Sequence, residues 1–407
     1  MTQVPSHRHR SEPTGMLRER QPGEHSRVTT FELFFDLIFV FAITQLSHSL
    51  AGHLNAEGFL HTTILLLAVW WAWMYTTWAT NWCDPDHLVV RVVLVGIMLA
   101  GLIMAASIPE TFDGRAFGFV LPYVGIQIGR TAFMIMAARE QELLRLTFIR
   151  ITAWFVVTGM LWVGGALAHG DARVAWWIAA LVIEYAGPSA GYWLPNLGSA
   201  RASDWSVEGA HLAERCGLFM IIALGESLLV TGATFAGLGW TASVVTAMLV
   251  AFASSVGMWW IYFDLTAEVA TERIAHAEVP GHLARLAYTY LHLPMVAGII
   301  LSAVGDEVVL MHPGGQTHVE GALAIVGGPM LFVLGYALFK WAVLGRLYLF
   351  LVTLALVFGG LFAFYGVVAP LGLSMGASAT LLALAIRGRI GRRHREFELE
   401  LEPQTAS

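Results

Sequence analysis

The sequence predicts an all-α integral membrane protein, a polytopic membrane helix bundle of about 12 transmembrane helices arranged as two parallel six-helix repeats. Three observations predict it. The 407 residues are 57% hydrophobic and only 13% charged, with a mean hydropathy of +0.66, far below the roughly 25% charge of soluble domains. Apolar runs of about 20 residues, long enough to cross a hydrocarbon core of about 30 Å, recur from Phe31 to Ile386. The basic residues alternate in step with those runs.

The expected spans are 31–51, 57–81, 88–108, 115–138, 142–168, 172–194, 207–235, 240–263, 282–304, 319–340, 345–365 and 367–386. Residues 1–27 are polar, with His7-Arg8-His9-Arg10 and no apolar centre. They do not read as a cleavable signal peptide and are expected to form a disordered basic tail. The first repeat then covers 28–194, a linker 195–206, the second repeat 207–388, and a second tail 389–407. Cys83 and Cys216 both fall at helix ends on the side where a reducing compartment is expected, so no disulfide is predicted.

Basic residues favour cytoplasmic connections. The tails hold Arg8, Arg10, Arg18, Arg20 and Arg27 at one end and Arg387, Arg389, Arg392, Arg393 and Arg395 at the other. Twelve spans then place inside Arg91, the Arg139/Arg145/Arg150 group, Arg201 with Arg215, Arg273 with Arg285, and Lys340 with Arg346, and leave only Arg115 and Arg173 outside. Removing any one helix scrambles this alternation. Both termini are therefore expected on the cytoplasmic side.

Internal similarity runs in chain order. Trp70-Trp71 is echoed by Trp259-Trp260; Met98, Ala100, Gly101, Ile103 and Ala106 match Met295, Ala297, Gly298, Ile300 and Ala303; Arg145, Leu146, Thr152, Val156 and Gly159 match Arg346, Leu347, Thr353, Val357 and Gly360. An even number of helices per half gives both halves the same orientation, the arrangement of parallel-repeat transporters with solute sites between halves.

Ionisable groups inside spans are costly and mark function or buried pairing. In the first helix Glu32 and Asp36 are four apart and share a face; the seventh carries His211, Glu214, Arg215 and, about three turns further, Glu226; the sixth holds Glu184, the ninth His292 and the fourth Arg130. Near the cytoplasmic ends the carboxylates Asp36 and Glu32 are expected to pair with an arginine such as Arg91, Arg130 or Arg285. Asp264, Glu214 and Arg215 belong to the same charge-pairing set. Glu226 stands apart near mid-membrane, where a desolvated carboxylate can carry a proton, beside Gly225, whose missing side chain would let a partner helix or water approach closely. The proton-coupling or gating candidates are thus Glu226, Asp36, Glu32 and His292, the last followed by Pro294, which can free a backbone carbonyl. Trp70, Trp71, Trp259 and Trp260 are expected in core packing, with lining of a solute path as the second reading.

The sequence contains no Gly-x-Ser-x-Gly, His-Glu-x-x-His, phosphate-binding glycine loop or cysteine cluster. His211-x-x-Glu214 alone is a weak metal signal. No enzyme activity, cofactor, metal or nucleic-acid partner is expected; the expected partners are membrane lipid and an unidentified small solute or cation, and a homo-oligomer is left open.

Several of these segments together resemble the bacterial low temperature requirement A family: the stretch from Thr30 to Ala42 with Phe34-Phe35-Asp36, then Glu214-Arg215-x-Gly217-Leu218-Phe219, Leu224-Gly225-Glu226-Ser227, and Trp259-Trp260-Ile261-Tyr262-Phe263-Asp264. The resemblance implies a multi-pass bacterial membrane protein of a family named for growth in the cold, not for a biochemical activity. Phe34-Phe35-Asp36-x-x-Phe39-x-x-Ala42-Ile43-Thr44 is also similar to the first-helix signature of the six-helix-repeat potassium channels of lysosomes and prokaryotes. Phenylalanine replaces that signature's serine, Arg27 lies farther upstream, and Cys216 stands where an ungapped repeat would put Asp36, which weighs against carrying channel function over. The leading expectation is an inner-membrane transporter or ion pathway with carboxylate-linked proton coupling or gating. The alternative is a non-transporting, lipid- or partner-binding protein of cold or envelope adaptation.

Overall fold

A computed structural model describes residues 15–18, 28–200, 208–265, 283–345 and 348–401. These hold twelve α-helices: α1 (Thr30–Gly52), α2 (Ala56–Trp82), α3 (Leu88–Ser107), α4 (Ala116–Ala137), α5 (Glu142–Leu167), α6 (Asp171–Ala186), α7 (Gly209–Ala236), α8 (Ala242–Leu265), α9 (Leu293–Met311), α10 (Val319–Leu344), α11 (Tyr348–Ala363) and α12 (Pro370–Leu401). Ten helical segments are long and apolar enough to cross a membrane. The two that fall short, α6 and α11, have 16 residues each. The described residues hold no β-sheet, only the isolated bridges Leu17 with Cys83 and Leu194 with Gly198.

Local chemistry sets the helix ends. Thr29 accepts from the Glu32 backbone N–H while the Glu32 side chain accepts from the Thr29 N–H, a capping box that fixes where α1 begins. Asn55 caps α2 by accepting from Gly58. Gly345, at φ 74°, ends α10 in the left-handed conformation. α6 stops at Gly187-Pro188, well before the expected 194, because proline disfavours helix in the residue before it. Conversely α9 runs on to Met311, past the expected end at 304, and brings Asp306 into the bundle. α12 stays helical through Leu401, beyond the predicted start of the tail at 389.

Residues 15–18, within the segment expected to be disordered, lie in an extended pairing along the end of α2. The Arg18 N–H donates to the Trp82 carbonyl at 2.8 Å and the Asp84 N–H to the Met16 carbonyl at 3.0 Å. The rest of residues 1–27 lies outside the described residues.

In the first half α1 packs on α2 and α3, and α3, α4, α5 and α6 pack in succession; in the second, α7 packs on α8 and α9, and α9 through α12 follow in the same order. The halves meet where α1 touches both α7 and α9. The outer faces are apolar: α3 turns Val92, Val95, Leu99 and Leu102 outward, a stripe suited to lipid. Inside, α2 buries Trp70, Trp71 and Trp73. Two helices approach closely at α9 and α10, where a Cβ placed on Gly298 would lie 2.5 Å from the Phe332 nitrogen and 2.8 Å from the Gly328 carbonyl oxygen. Gly225 of α7, expected to admit a close neighbour, has nothing within 4 Å of such a Cβ. That expectation is corrected, because the open face of α7 rather than a packed helix lies beside it.

Two substitutions separate these environments. Gly298→Ala should lower stability in detergent by about 1–3 kcal/mol through overpacking against backbone. Gly225→Ala should be neutral or stabilising by up to about 1 kcal/mol, since glycine is entropically costly inside a helix. Melting curves of the purified proteins check both; equal curves for Gly298→Ala and the unsubstituted protein would refute the close approach.

Candidate functional site

The most concentrated polar chemistry lies where α1 and α7 begin and α2 ends. Spacing of four puts Glu32 and Asp36 on one face of α1, and the same spacing puts His211 and Arg215 on one face of α7. The four side chains meet, wholly buried. Arg215 grips Asp36 through two bonds, Nη2 to Oδ1 at 2.5 Å and Nε to Oδ2 at 3.2 Å, and reaches Glu32 Oε1 through Nη1 at 3.2 Å. Trp73 Nε1 donates to Asp36 Oδ1 at 2.7 Å. Arg18, from the segment beside α2, reaches Glu32 Oε1 at 3.2 Å and the Cys83 carbonyl at 2.9 Å. Two carboxylates therefore face two guanidinium groups in a charge-balanced knot, the arrangement that lets a low-dielectric interior hold ions.

The Asn81 side-chain amide lies 3.3 Å from His211 Nδ1. An amide N–H can only donate there, so in the neutral ring the single N–H sits on Nε2 and donates to Glu32 Oε1 at 3.0 Å. Arg215 also lies over the rings of Phe35 and Trp73, at 5.8 and 6.0 Å, which adds cation–π attraction to the ion pairs. Just beyond the end of α2, burial pushes the Cys83 thiol up to about 12, leaving an unreactive thiol against Met134 Sδ at 3.3 Å.

The expected arginine partners of these carboxylates are corrected. Arg91 pairs with the exposed Asp86 at 2.6 Å. Arg285 donates to the Pro188 carbonyl at 2.9 Å. Arg130 belongs to a second buried network that crosses the first half from α6 to α2. Glu184 accepts from Tyr123 Oη at 2.5 Å and from Trp162 Nε1 at 3.1 Å. Gln127 donates to Tyr123 Oη at 3.1 Å and accepts from Arg130, whose other nitrogen donates to Thr76 Oγ1 at 3.1 Å and the Ala72 carbonyl at 3.2 Å. Glu184 and Arg130 are thus joined through two uncharged side chains instead of directly.

Glu226 is half-buried and accepts from Thr44 Oγ1 of α1 at 2.7 Å. The protein itself covers it only in part, since α7 leaves that flank open. His292 is fully buried and doubly satisfied: Nδ1 donates to the Ala287 carbonyl at 2.9 Å, so in the neutral ring Nε2 accepts from Tyr262 Oη at 2.9 Å. Ala287 belongs to a π-helical turn, Arg285–Tyr290, just ahead of Pro294. A carbonyl is available there because the Leu291 N–H, its regular partner, bonds the Leu286 carbonyl at 3.2 Å in the widened turn.

The remaining predicted residues are scattered. Glu214 is exposed and accepts from the Val28 N–H at 3.1 Å, facing away from His211; the two do not form a metal pair. The Asp264 side chain lies outside the described residues. Trp70 and Trp71 are core residues, Trp70 donating to the Thr289 carbonyl at 2.7 Å and Trp71 stacked on Tyr185 at 4.0 Å. Trp259 faces outward and Trp260 lies under Arg389 at 5.5 Å, so the repeated tryptophan pair serves different surroundings in the two halves. Asp306 escaped the sequence reading. The apolar run Val308-Val309-Leu310-Met311 after it was the available sign that the helix continues.

The family model for the bacterial low temperature requirement A protein (LtrA) matches residues 27–386, which span the Thr44–Glu226 contact and all of the knot except Arg18. The chain belongs to the LtrA family. An uncharacterized protein of Rhizobium meliloti (strain 1021) is 38% identical to this LtrA chain over 318 residues, 78% of each chain. No solved structure matches. LtrA membership and the helices together make this a multi-pass membrane protein.

In this LtrA chain the knot sets a stability test. Asp36→Asn leaves Arg215 buried with one carboxylate fewer, and removing one partner of a buried pair costs about 3–5 kcal/mol. Melting in detergent should fall accordingly, whereas Arg91→Gln, which breaks an exposed pair, should cost less than about 1 kcal/mol. An Asp36→Asn protein that melts like the unsubstituted one would refute the buried pairing.

Proposed function

We propose that this LtrA protein is a bacterial inner-membrane transporter or ion pathway for a small solute or cation, without catalytic activity, in which the α1–α7 seam is the gated path. The observation that carries the reading is the succession of polar contacts along that one seam. Glu32 and Asp36 meet His211 and Arg215 at its start, and Thr44 meets Glu226 deeper in. From Asp36 to Thr44 is eight residues, about 12 Å along a helix, so the contacts occupy two depths. The knot acts as a gate closed by charge pairing. Glu226, with one hydrogen bond and a half-exposed flank, is the protonation site of the cycle.

In this reading the two halves are six-helix repeats of the same orientation, and paths in parallel-repeat transporters run between halves. The order of helix neighbours is the same in both halves, with α1, α2 and α3 corresponding to α7, α8 and α9. All twelve helices span the membrane in this reading, α6 and α11 included, and both termini face the cytoplasm. Of the two arginines that this orientation places outside, Arg115 pairs with Glu110 at 2.8 Å and Arg173 is turned into the bundle, donating to the carbonyls of Ala168 and Phe112. Neither is a free charge that would oppose the orientation.

A second reading has its own observation. An apolar crevice of about 410 Å³ lies between α3 and α4, lined by Gly96, Ala100, Gly125 and Gly129, with Arg130 at its wall. It suits an acyl chain and favours a non-transporting, lipid-binding role in cold or envelope adaptation.

Orientation is checked by single cysteines at Ser6, Glu272 and Gln316, of which only Gln316→Cys should react with an impermeant reagent in intact cells; labelling of Ser6→Cys would overturn the topology. Function is checked in proteoliposomes carrying a pH gradient, with uptake of protons and monovalent cations followed. Glu226→Gln should abolish pH-dependent flux while insertion is retained. Full flux in a well-inserted Glu226→Gln protein would refute the assignment of that residue, and absence of any flux in the unsubstituted protein would favour the lipid-binding role.

A further inference from the structure

A separate polar chamber lies in the second half, between α8, α9, α10 and α12, and the seam described above makes no use of it. Its walls are Ser254 of α8, Ser302 and Asp306 of α9, Ile325 and Pro329 of α10, and Ser374, Ala377 and Ser378 of α12. Asp306 and all four serines are more than nine-tenths buried. Asp306 Oδ2 and Ser302 Oγ make no hydrogen bond within the protein, and no ion pair to Asp306 exists among the described residues. Ser378 Oγ donates to the Val250 carbonyl at 3.3 Å, which leaves its lone pairs free to accept. Pro329 lacks the N–H that would otherwise bond the carbonyl of residue 325 in a regular helix, so α10 contributes a backbone oxygen released from its ladder at the same place.

Such a grouping is expensive as it stands. A buried carboxylate without a counter-charge is among the costliest arrangements in a protein interior, and the unmet Ser302 hydroxyl adds to it. A bound cation relieves all of these at once, since hard cations take oxygen ligands from carboxylates, hydroxyls and carbonyls. Charge decides the valence: one carboxylate neutralises one monovalent ion, whereas a divalent ion would leave an unpaired buried charge. Size decides the ion. The space among these groups is confined, and a bare sodium ion is smaller than a bare potassium ion. The α9–α10 wall is held by backbone packed on backbone, with a Cβ on Gly305 falling 2.9 Å from the Ala324 carbonyl, so the chamber cannot widen readily on that side.

We propose that Asp306, the hydroxyls of Ser302, Ser254, Ser374 and Ser378, and the Ile325 carbonyl form a binding site for one dehydrated sodium ion. The site lies about five residues from the end of α9, roughly 7–8 Å inside it. The proposal does not depend on transport through the α1–α7 seam, and it is tested by binding instead of flux, so each can fail alone.

The test uses the purified full-length protein in detergent, titrated with sodium chloride against potassium or choline chloride at constant ionic strength. Binding to the folded state alone raises the melting temperature with ligand concentration. The expected result is a saturable rise with sodium that potassium and choline do not reproduce, together with one equivalent of radioactive sodium bound per chain. Asp306→Asn should lose the sodium-dependent rise, and Ser302→Ala or Ser374→Ala should shift its midpoint at least tenfold to higher sodium; the serine variants keep the test decisive should Asp306→Asn fail to fold. Indifference of the unsubstituted protein to sodium would overturn the proposal. So would an unchanged sodium response in the serine variants, or a stability that follows pH alone, which would make Asp306 a proton-holding group.

Discussion

The structure hinges on the pairing of Arg215 with Asp36 and Glu32, because that pairing fixes how two parallel helices can start side by side. Glu32 meets His211 and Asp36 meets Arg215 at the same sequence offset of 179 residues, and Thr44 meets Glu226 at 182. Contacts that advance together along both chains mean that α1 and α7 run in the same direction, with their N-termini adjacent. Parallel neighbours place like ends of two helix dipoles together. Acidic residues in the first turns of α1 suit its own dipole; His211 and Arg215 in the first turns of α7 do not. Opposite charges on the two helices offset both problems, and the same contacts recruit Trp73 from α2 and Arg18 from the preceding segment.

Much of the scaffold could be read from the sequence because lipid is an undemanding solvent to recognise. Each helix must satisfy its own backbone, so apolar length and basic punctuation locate it without knowledge of its neighbours. The differences fall where neighbours decide. α6 ends early at Gly187-Pro188, although apolar residues continue to Leu194. α9 continues past Ser302 and Ala303 because Asp306 is sheltered between helices, which hydropathy averaged along one chain cannot register. The extended pairing of residues 15–18 with the end of α2 depends on two backbone bonds that no composition signals.

The candidate residues were legible as types and much less so as partners. The spacing of four in Glu32/Asp36 and in His211/Arg215 marked two polar helix faces, yet nothing in either stretch says that they face each other across some 179 positions. The sequence offers Arg91, Arg130 and Arg285 alike as partners. Tertiary packing gave each a different acceptor: Asp86, Gln127 with Thr76, and a carbonyl of the segment after α6. The echo of Trp70-Trp71 in Trp259-Trp260 likewise kept the letters while the surroundings diverged from core to outer surface.

The unequal strength of the seam's contacts bears on where it can open. At the knot Glu32, Asp36, His211 and Arg215 are all buried and several bonds share each carboxylate, so separating α1 from α7 there exposes two ion pairs at once and has to be matched by water or by an incoming charged group. At Thr44 and Glu226 one neutral-to-acid hydrogen bond spans the same two helices, Glu226 is already half-exposed, and Gly225 presents open space on its flank. The α9–α10 pair, locked backbone to backbone at Gly298 and Gly305, resists deformation on the far side of α7. Displacement of the seam is therefore easiest at its deeper contact and hardest at the knot, so under the proposed transport role a solute or ion that reached Glu226 would still be held behind Arg215 until the charge pairing was broken.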